Sequence, residues 1–330
     1  MITPDEVIES IRDRFSDRWM IVADGTTVRM RHRRPARASA RRSCPSHQQI
    51  VSCLRNSLRA SGLTVGSSLL PMRWNRDTDV TISAIQALDP WLKDAQPRVW
   101  REGFLPQPVV RHTGERDASG ALLDGYLTAF INISYVQRVR GCAEAFAILD
   151  HWFTALSRVG LHAGRLSVHG DLRPWQRPPV GGITLFIDCD HRGLGDLVLL
   201  WNLDNPHFMA VDLGSGIERL RWYLSGRSWS WAAFGELSGY HDARLLDTVR
   251  AVTLLLMAGI RAAHRGPGYT VRSLARAIEP AVARTGLSRL VRQQVAYWRA
   301  LGMTGPEWPI ITTQLEETVL AQHSRLRRLP

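Results

Sequence analysis

Cysteine is scarce and scattered: Cys44, Cys53, Cys142 and Cys189 are the four in the chain, and no two form a CxxC pair. Neither a disulfide framework nor a cysteine-rich zinc site is therefore expected. Long apolar runs are missing as well. The longest candidate, residues 251 to 260, falls short of the roughly eighteen residues that a membrane span needs. The first residues, MITPDEVIES, lack the basic-then-apolar layout of a secretion signal, so a cytoplasmic protein with no membrane partner is expected. Lysine is nearly absent: of 42 Lys and Arg residues, Lys93 is the only lysine, a skew of the kind that GC-rich coding produces. No internal repeat or long low-complexity tract is evident.

What is present is a basic, globular composition. With 330 residues, 45% of them hydrophobic and 22% charged, the chain can build one large domain or two ordinary ones. Its formal net charge of +12 fits either a solvated basic surface or a surface that meets phosphates, of ATP or of RNA. The stretch RMRHRRPARASARR, residues 29 to 42, has no hydrophobic period and reads as a mobile basic arm or linker.

Periodicity predicts a helix from about Ser46, with apolar residues at 50, 51, 54 and 58, and another over Cys142 to Leu156. Short β-type runs lie at Val109-Val110, Leu127 to Val136 and Ile183 to Ile187. Leu197 to Leu203 and Phe208 to Leu213 read as a hairpin around the turn-forming Asp204-Asn205-Pro206. This order lacks a regular βαβ rhythm and favours an α+β fold with an antiparallel sheet. Beyond Gly239 the pattern becomes helical. Apolar residues at 245, 246, 249, 252, 255, 256 and 260 lead to a stop at Gly266-Pro267-Gly268, and further helices are expected around 271 to 283, 287 to 301 and 312 to 326.

The stretch AVDLGSGIERLRW carries the most chemistry. A strand is expected to end at Asp212, Gly214 and Gly216 to allow close backbone approach, and a helix to start near Ile217 with Arg219 in its first turn. Amides at a helix start attract anions, and an arginine there offers a planar donor fork to a phosphate. The same glycines also suit a plain strand-to-helix turn.

DLGSGIERL resembles motif 3 of class II aminoacyl-tRNA synthetases, in the form used by the alanyl enzyme. Trp201-Asn202 is similar to that enzyme's Trp-Asn pair, and Trp175-Gln176 with Pro179, Gly181, Gly182 and Asp188 resembles a shortened form of its Trp-Gln, glycine-rich segment. SSLLP at 67 to 71 resembles the start of its first conserved region, and Val110-Arg111 with the loop 112 to 125 stands where motif 2 belongs. The helical tail from Leu246 onward is similar to the segment after its catalytic domain.

The resemblance implies a class II antiparallel sheet flanked by helices, followed by an all-helical C-terminal domain. It divides the chain into an N-terminal segment with the basic arm (1–45), a catalytic domain (46–238) and a helical domain (239–330). It also implies ATP with Mg²⁺, and attack of a small amino acid's carboxylate on the α-phosphate. Arg111 takes the place of the arginine on the α-phosphate and Arg219 that of the arginine on the γ-phosphate, with Arg116 and Asn132 also in the ATP set. Gly214 and Gly216 border the adenosine, Asp212 pairs with the α-ammonium, and Trp175, Trp201 and Asn202 line the amino-acid pocket. Against the family pattern stand Glu115 for a lysine in the motif 2 loop, which Arg116 offsets, the strand Tyr126 to Ser134 where only Asn132 and Ser134 are in register for adenine recognition, and Thr184 for a glutamate.

The chain stops near Pro330, before the family's remaining tRNA-recognition region, so a catalytic-domain paralogue is expected. Three readings follow. One is an enzyme that activates alanine or another small amino acid and passes it to a small-molecule amine or a carrier-protein thiol, in specialised-metabolite biosynthesis. The second is a non-catalytic paralogue that binds tRNA or aminoacyl-tRNA. The third is a minimal tRNA-charging enzyme using its basic arm and Arg272, Arg276 and Arg284. DNA is not an expected partner. His162, His169 and His191 near Asp171, Asp188 and Asp190 lack HxxxH spacing and read as a polar loop rather than a metal site, and neither Ser43-Cys44 nor Cys142 has the surroundings of an activated nucleophile.

Overall fold

The computed structural model describes residues 2–34, 44–66, 78–97, 101–112, 116–118 and 122–326. The SSLLP stretch, Ser43, residues 113 to 115 and Ser119 lie outside them. In chain order the elements are α1 (Pro4–Phe15), β1 (Trp19–Asp24), β2 (Thr27–His32), α2 (His47–Ala60), α3 (Asp89–Leu92), β3 (Gly103–Val110), β4 (Ala129–Arg138), α4 (Cys142–Val159), β5 (Leu166–Asp171), β6 (Trp175–Arg177), β7 (Val180–Cys189), β8 (Arg192–Asn202), β9 (Met209–Gly216) and α5 (Ile217–Ser225). Then come α6 (Trp229–Phe234), α7 (Ala243–Met257), α8 (Pro267–Ala275), α9 (Pro280–Thr285), α10 (Ser288–Ala300) and α11 (Trp308–Leu326). The fold is α+β: a nine-stranded antiparallel sheet with flanking helices and a helical C-terminal region. Among the described residues no helix is long and apolar enough to cross a membrane.

By its contacts the chain forms two units: Met1–Ser68, Ser83–Gln107 and Ile131–Gly226 in the first, Leu69–Ile82, Pro108–Phe130 and Arg227–Pro330 in the second. Strand order across the sheet is β1-β2-β5-β7-β8-β9-β4-β3, with β6 paired to β7. Alternation sorts the strands of the first unit cleanly. Val28, Met30, Val168, Ile183, Leu185, Leu197, Leu199, Val211, Leu213, Ile133 and Tyr135 are all buried on one face. Helices α1 and α2 pack on α4, and α5 packs on α2. Trp19 stacks on Phe153 with centroids 4.9 Å apart, and Phe15 meets the same ring edge-on at 6.0 Å. Capping boxes start α1 (Thr3 with Glu6) and α2 (Ser46 with Gln49), satisfying amide groups that the helices cannot.

The opposite face carries Arg29, His169, Thr184, Phe186, Asp196, Val198 and Asp212, all half-buried or exposed. Residues Ser83–Leu92 cover it at the β4–β9 end, where Asn132 and Ser134 are buried.

Three sequence expectations change here. Arg29 to His32 do not begin a mobile arm: they form strand β2, because Val28 and Met30 are buried at every second position while Arg29 and Arg31 face water. Residues 35 to 43 lie outside the description. The strand before the glycines does not end at Asp212 but runs to Gly216, which keeps an extended backbone (φ −84°, ψ 136°) and pairs with Asn132. Gly266-Pro267-Gly268 opens α8 rather than stopping α7. Pro267 fits the first helical turn because its missing N–H has no partner there anyway, and α7 is followed by Gly259 in the left-handed region (φ +81°).

In the second unit α7 is the axis, packed by α8, α10 and α11. Its Arg250 is fully buried: Nε donates to Gln294 at 3.1 Å, an NH₂ group donates to the Ala233 carbonyl at 2.5 Å, and the guanidinium lies over Phe234 and Tyr297 at 4.7 and 4.2 Å. Asp247 on the same helix accepts from the Thr128 backbone N–H at 2.8 Å and from its hydroxyl at 2.6 Å. Burial holds its carboxyl above the usual range.

Candidate functional site

Asp212 stands in the middle of the polar face. Across β8 it is opposite Val198, which is opposite Thr184 on β7, and on the other side it is opposite Val136. Adjacent strands lie about 4.8 Å apart, so Asp212 and Thr184 stand about 10 Å apart across a Val198 floor. Ser83 closes the site from above. Its hydroxyl donates to Asp212 Oδ2 at 3.4 Å and lies 3.5 Å from Asn132 Oδ1, which also accepts from the Ala84 N–H at 3.1 Å. Asn132 Nδ2 in turn donates to the Ser215 carbonyl at 3.4 Å. Asp212 and Asn132 are thus gathered into one polar cluster, together with Ser83, whose sequence context gives no signal of this role.

Gly214 has a reason inside the sheet. It is opposite Ser134 on β4 and Asp196 on β8, and a Cβ there would collide with the Ser134 hydroxyl and lie 3.2 Å from the Ile133 carbonyl. The buried Ser134 hydroxyl has no hydrogen-bond partner among the described residues. Close approach is therefore required by the neighbouring strand, quite apart from any ligand.

Gly216 is the N-cap of α5, and Arg219 follows in the first turn, half-buried. Arg219 and Arg192 both bear electrostatically on the Tyr223 phenol, whose hydroxyl donates to the Gly193 carbonyl at 3.1 Å. Burial outweighs the two cations and pushes the phenol up to about 12. Only Arg219 is at the helix start, where an anion is stabilised; Arg192 lies over the Trp222 ring at 5.5 Å, farther along α5.

The two tryptophans do not meet. Trp175 lies on the polar face over Gly182, where a Cβ would come within 2.6 Å of its ring, and its indole donates to the Thr184 hydroxyl at 3.0 Å. Trp201 lies over Gly181, on the helix side, 3.2 Å from where a Cβ would stand. Consecutive strand residues point to opposite faces, so the pair cannot wall one pocket. Trp201 instead borders a cleft of 660 Å³ with Ile2, Glu6, Cys142 and Met209. Asn202 shares the polar face, but its side chain is engaged by the fold: Nδ2 donates to the Leu92 carbonyl at 2.9 Å, and Oδ1 accepts from the Asp204 and Asn205 amides at 3.0 and 2.8 Å.

Arg111 and Arg116 belong to the second unit. Arg111 Nε donates to the Ile82 carbonyl, its guanidinium lies 5.3 Å over Phe130, and Arg116 is exposed at an isolated bridge to Leu122. The histidines and acids expected in a polar loop are largely on strands, His169 and Asp171 on β5 and Asp188 on β7; His169 is bonded to Asp188 at 3.0 Å and Asp190 to Arg165. Among the described residues no three His, Cys, Asp or Glu side chains are grouped to hold a metal ion. Compared with known proteins, the chain matches no family model and no curated protein.

Proposed function

We propose that the chain activates alanine or another small amino acid with ATP, forming an aminoacyl-adenylate that is passed to a small-molecule amine or a carrier-protein thiol. The observation that carries this reading is the placement of Asp212 on the polar face, beside Asn132 and Ser83, on the strand that runs directly into the helix bearing Arg219. A carboxylate of this kind suits an α-ammonium group, and the extended strand from Asp212 to Gly216, about 13 Å long at the usual strand rise, ends at a helix start whose arginine suits a phosphate. In the reaction an amino-acid carboxylate oxygen bonds to the α-phosphorus, the bond from that phosphorus to the β-phosphate oxygen breaks, and pyrophosphate leaves. Arg219 offsets charge on the departing phosphates, and Asp212 orients the amino acid.

A second reading, a paralogue that binds tRNA without catalysis, is favoured by Asn202 and Trp201, which match the family and yet are committed to the fold.

Amino-acid-dependent ATP–pyrophosphate exchange across the common amino acids separates the two. Exchange is expected with one small amino acid. Arg219→Ala abolishes it, Asp212→Asn raises the amino-acid KM with less effect on kcat, and Arg111→Ala tests in the same assay the role that the resemblance gives it. Silence of the folded parent across the panel, or variants indistinguishable from it, would overturn the proposal.

A further inference from the structure

The chain's excess positive charge is concentrated in one stretch. Eleven of its 42 cationic side chains lie between Gly25 and Arg76, a span without a single acidic residue, and the remaining 31 cations stand against all 30 acids. The basic character is thus a local feature, and β2 is where it enters the sheet.

On β2, Arg29 and Arg31 are exposed on the polar face and make no ion pair or side-chain hydrogen bond among the described residues. Arg29 is directly opposite His169 on β5, and His169 is directly opposite Phe186 on β7. The three therefore form a row across three strands, with the Phe186 and His169 rings 5.6 Å apart. Phe186 is 48% exposed, which is unusual for a phenylalanine at the centre of a strand. The neighbouring acids are engaged, Asp188 by His169 and Asp171 by Arg173.

An exposed aromatic ring two strands away from unpaired guanidinium groups, on one face of the sheet, suits a strand of nucleotides: a base stacks on the ring and the phosphates meet the cations. We propose that this half of the sheet, from β2 to β7, binds single-stranded RNA. Asp196, opposite Phe186 on β8, is itself already engaged, but a carboxylate can accept several hydrogen bonds, so it places an acceptor beside the platform. A ribose 2′-hydroxyl can donate to it, and DNA has no such group. The inference does not rest on amino-acid activation.

Fluorescence anisotropy of a labelled oligouridylate of about twenty nucleotides, titrated with the full chain over a range of salt concentrations, tests it. The parent binds with an affinity that falls as salt rises. Arg29→Ala with Arg31→Ala flattens the log–log salt dependence by about 1.4, at about 0.7 for each single-strand phosphate that is no longer neutralised. Phe186→Ala weakens binding roughly tenfold and leaves the slope unchanged. Ser167→Arg, which adds a cation opposite Arg31, steepens the slope and keeps the test decisive should the double variant fail to fold. Absence of binding, variants that behave like the parent, equal affinity for the matching deoxyoligonucleotide, or capture of phosphatidylserine vesicles in place of RNA would each overturn the proposal. None of these outcomes alters pyrophosphate exchange, so the two proposals fail separately.

Discussion

Gly214 shows how much one residue's explanation depends on its neighbours. From the sequence, a glycine two residues after Asp212 reads as space for a ligand. In the sheet, the Ser134 hydroxyl occupies the position a methyl group would need. Gly214→Ala is therefore expected to destabilise the protein by about 1–3 kcal/mol through overpacking. Ser134→Gly in the same chain should restore most of the loss, because it removes the colliding atom. Thermal unfolding of the single and double variants checks this; a double variant no more stable than Gly214→Ala would show that the crowding lies elsewhere. The Asp212 cluster was legible only in part. Asp212 and Asn132 could be named from motifs, but Ser83 comes from a segment distant in sequence and joins them only when the chain folds over the sheet.

At the scale of elements, the best-read parts were those whose pattern is local. The helices α2, α4 and α7 and the β8–β9 hairpin each repeat their apolar residues at a period that one segment fixes alone. The first 32 residues carried readable signals as well: a Thr3-x-x-Glu6 capping box, and a turn at Gly25 (φ +54°) between two alternating strands. They were obscured by the arginines from Arg29 onward, whose charge suggests a solvated arm although the spacing of Arg29 and Arg31 fits a strand. Asn202 belongs to this scale. Its side chain ties the β8–β9 turn to α3 by accepting from two amides and donating to Leu92. Asn202→Ala should cost about 2–3 kcal/mol, since three hydrogen bonds are lost and the Leu92 carbonyl is left buried. Chemical denaturation measures it, and a loss below about 0.5 kcal/mol would place Asn202 outside the fold's support and return it to the ligand site.

At the scale of the whole molecule, the thiols report on packing. Cys142 and Cys189 are buried, and burial pushes their thiols up to about 11 and about 12, whereas Cys44 is exposed. A thiol in an unfolded chain ionises near pH 8.5. The unfolded state therefore sheds these protons first as pH rises, and the native state retains them. The resulting contribution to stability is complete below about pH 8.5 and is lost progressively as pH climbs from there toward the native values. Stability is expected to fall between pH 8.5 and 11, and Cys142→Ala with Cys189→Ala should flatten that fall. In the native protein at neutral pH, Cys44 should react with a thiol reagent while Cys142 and Cys189 wait for unfolding. Rapid labelling of all four would contradict the burial.

The sequence by itself determined the α+β class, the order of most helices and strands, the helical C-terminal region and the confinement of net charge to residues 25–76. Each of these follows from neighbours along the chain, through apolar spacing, turn residues or summed charge. Only the tertiary structure decided which faces those strands present. It set Trp175 and Trp201 on opposite sides of the sheet, drew Ser83 onto Asp212 and Asn132, and aligned Arg29, His169 and Phe186 in one row. Register between strands depends on contacts between distant segments, and a shift of one residue would have reversed every one of these placements.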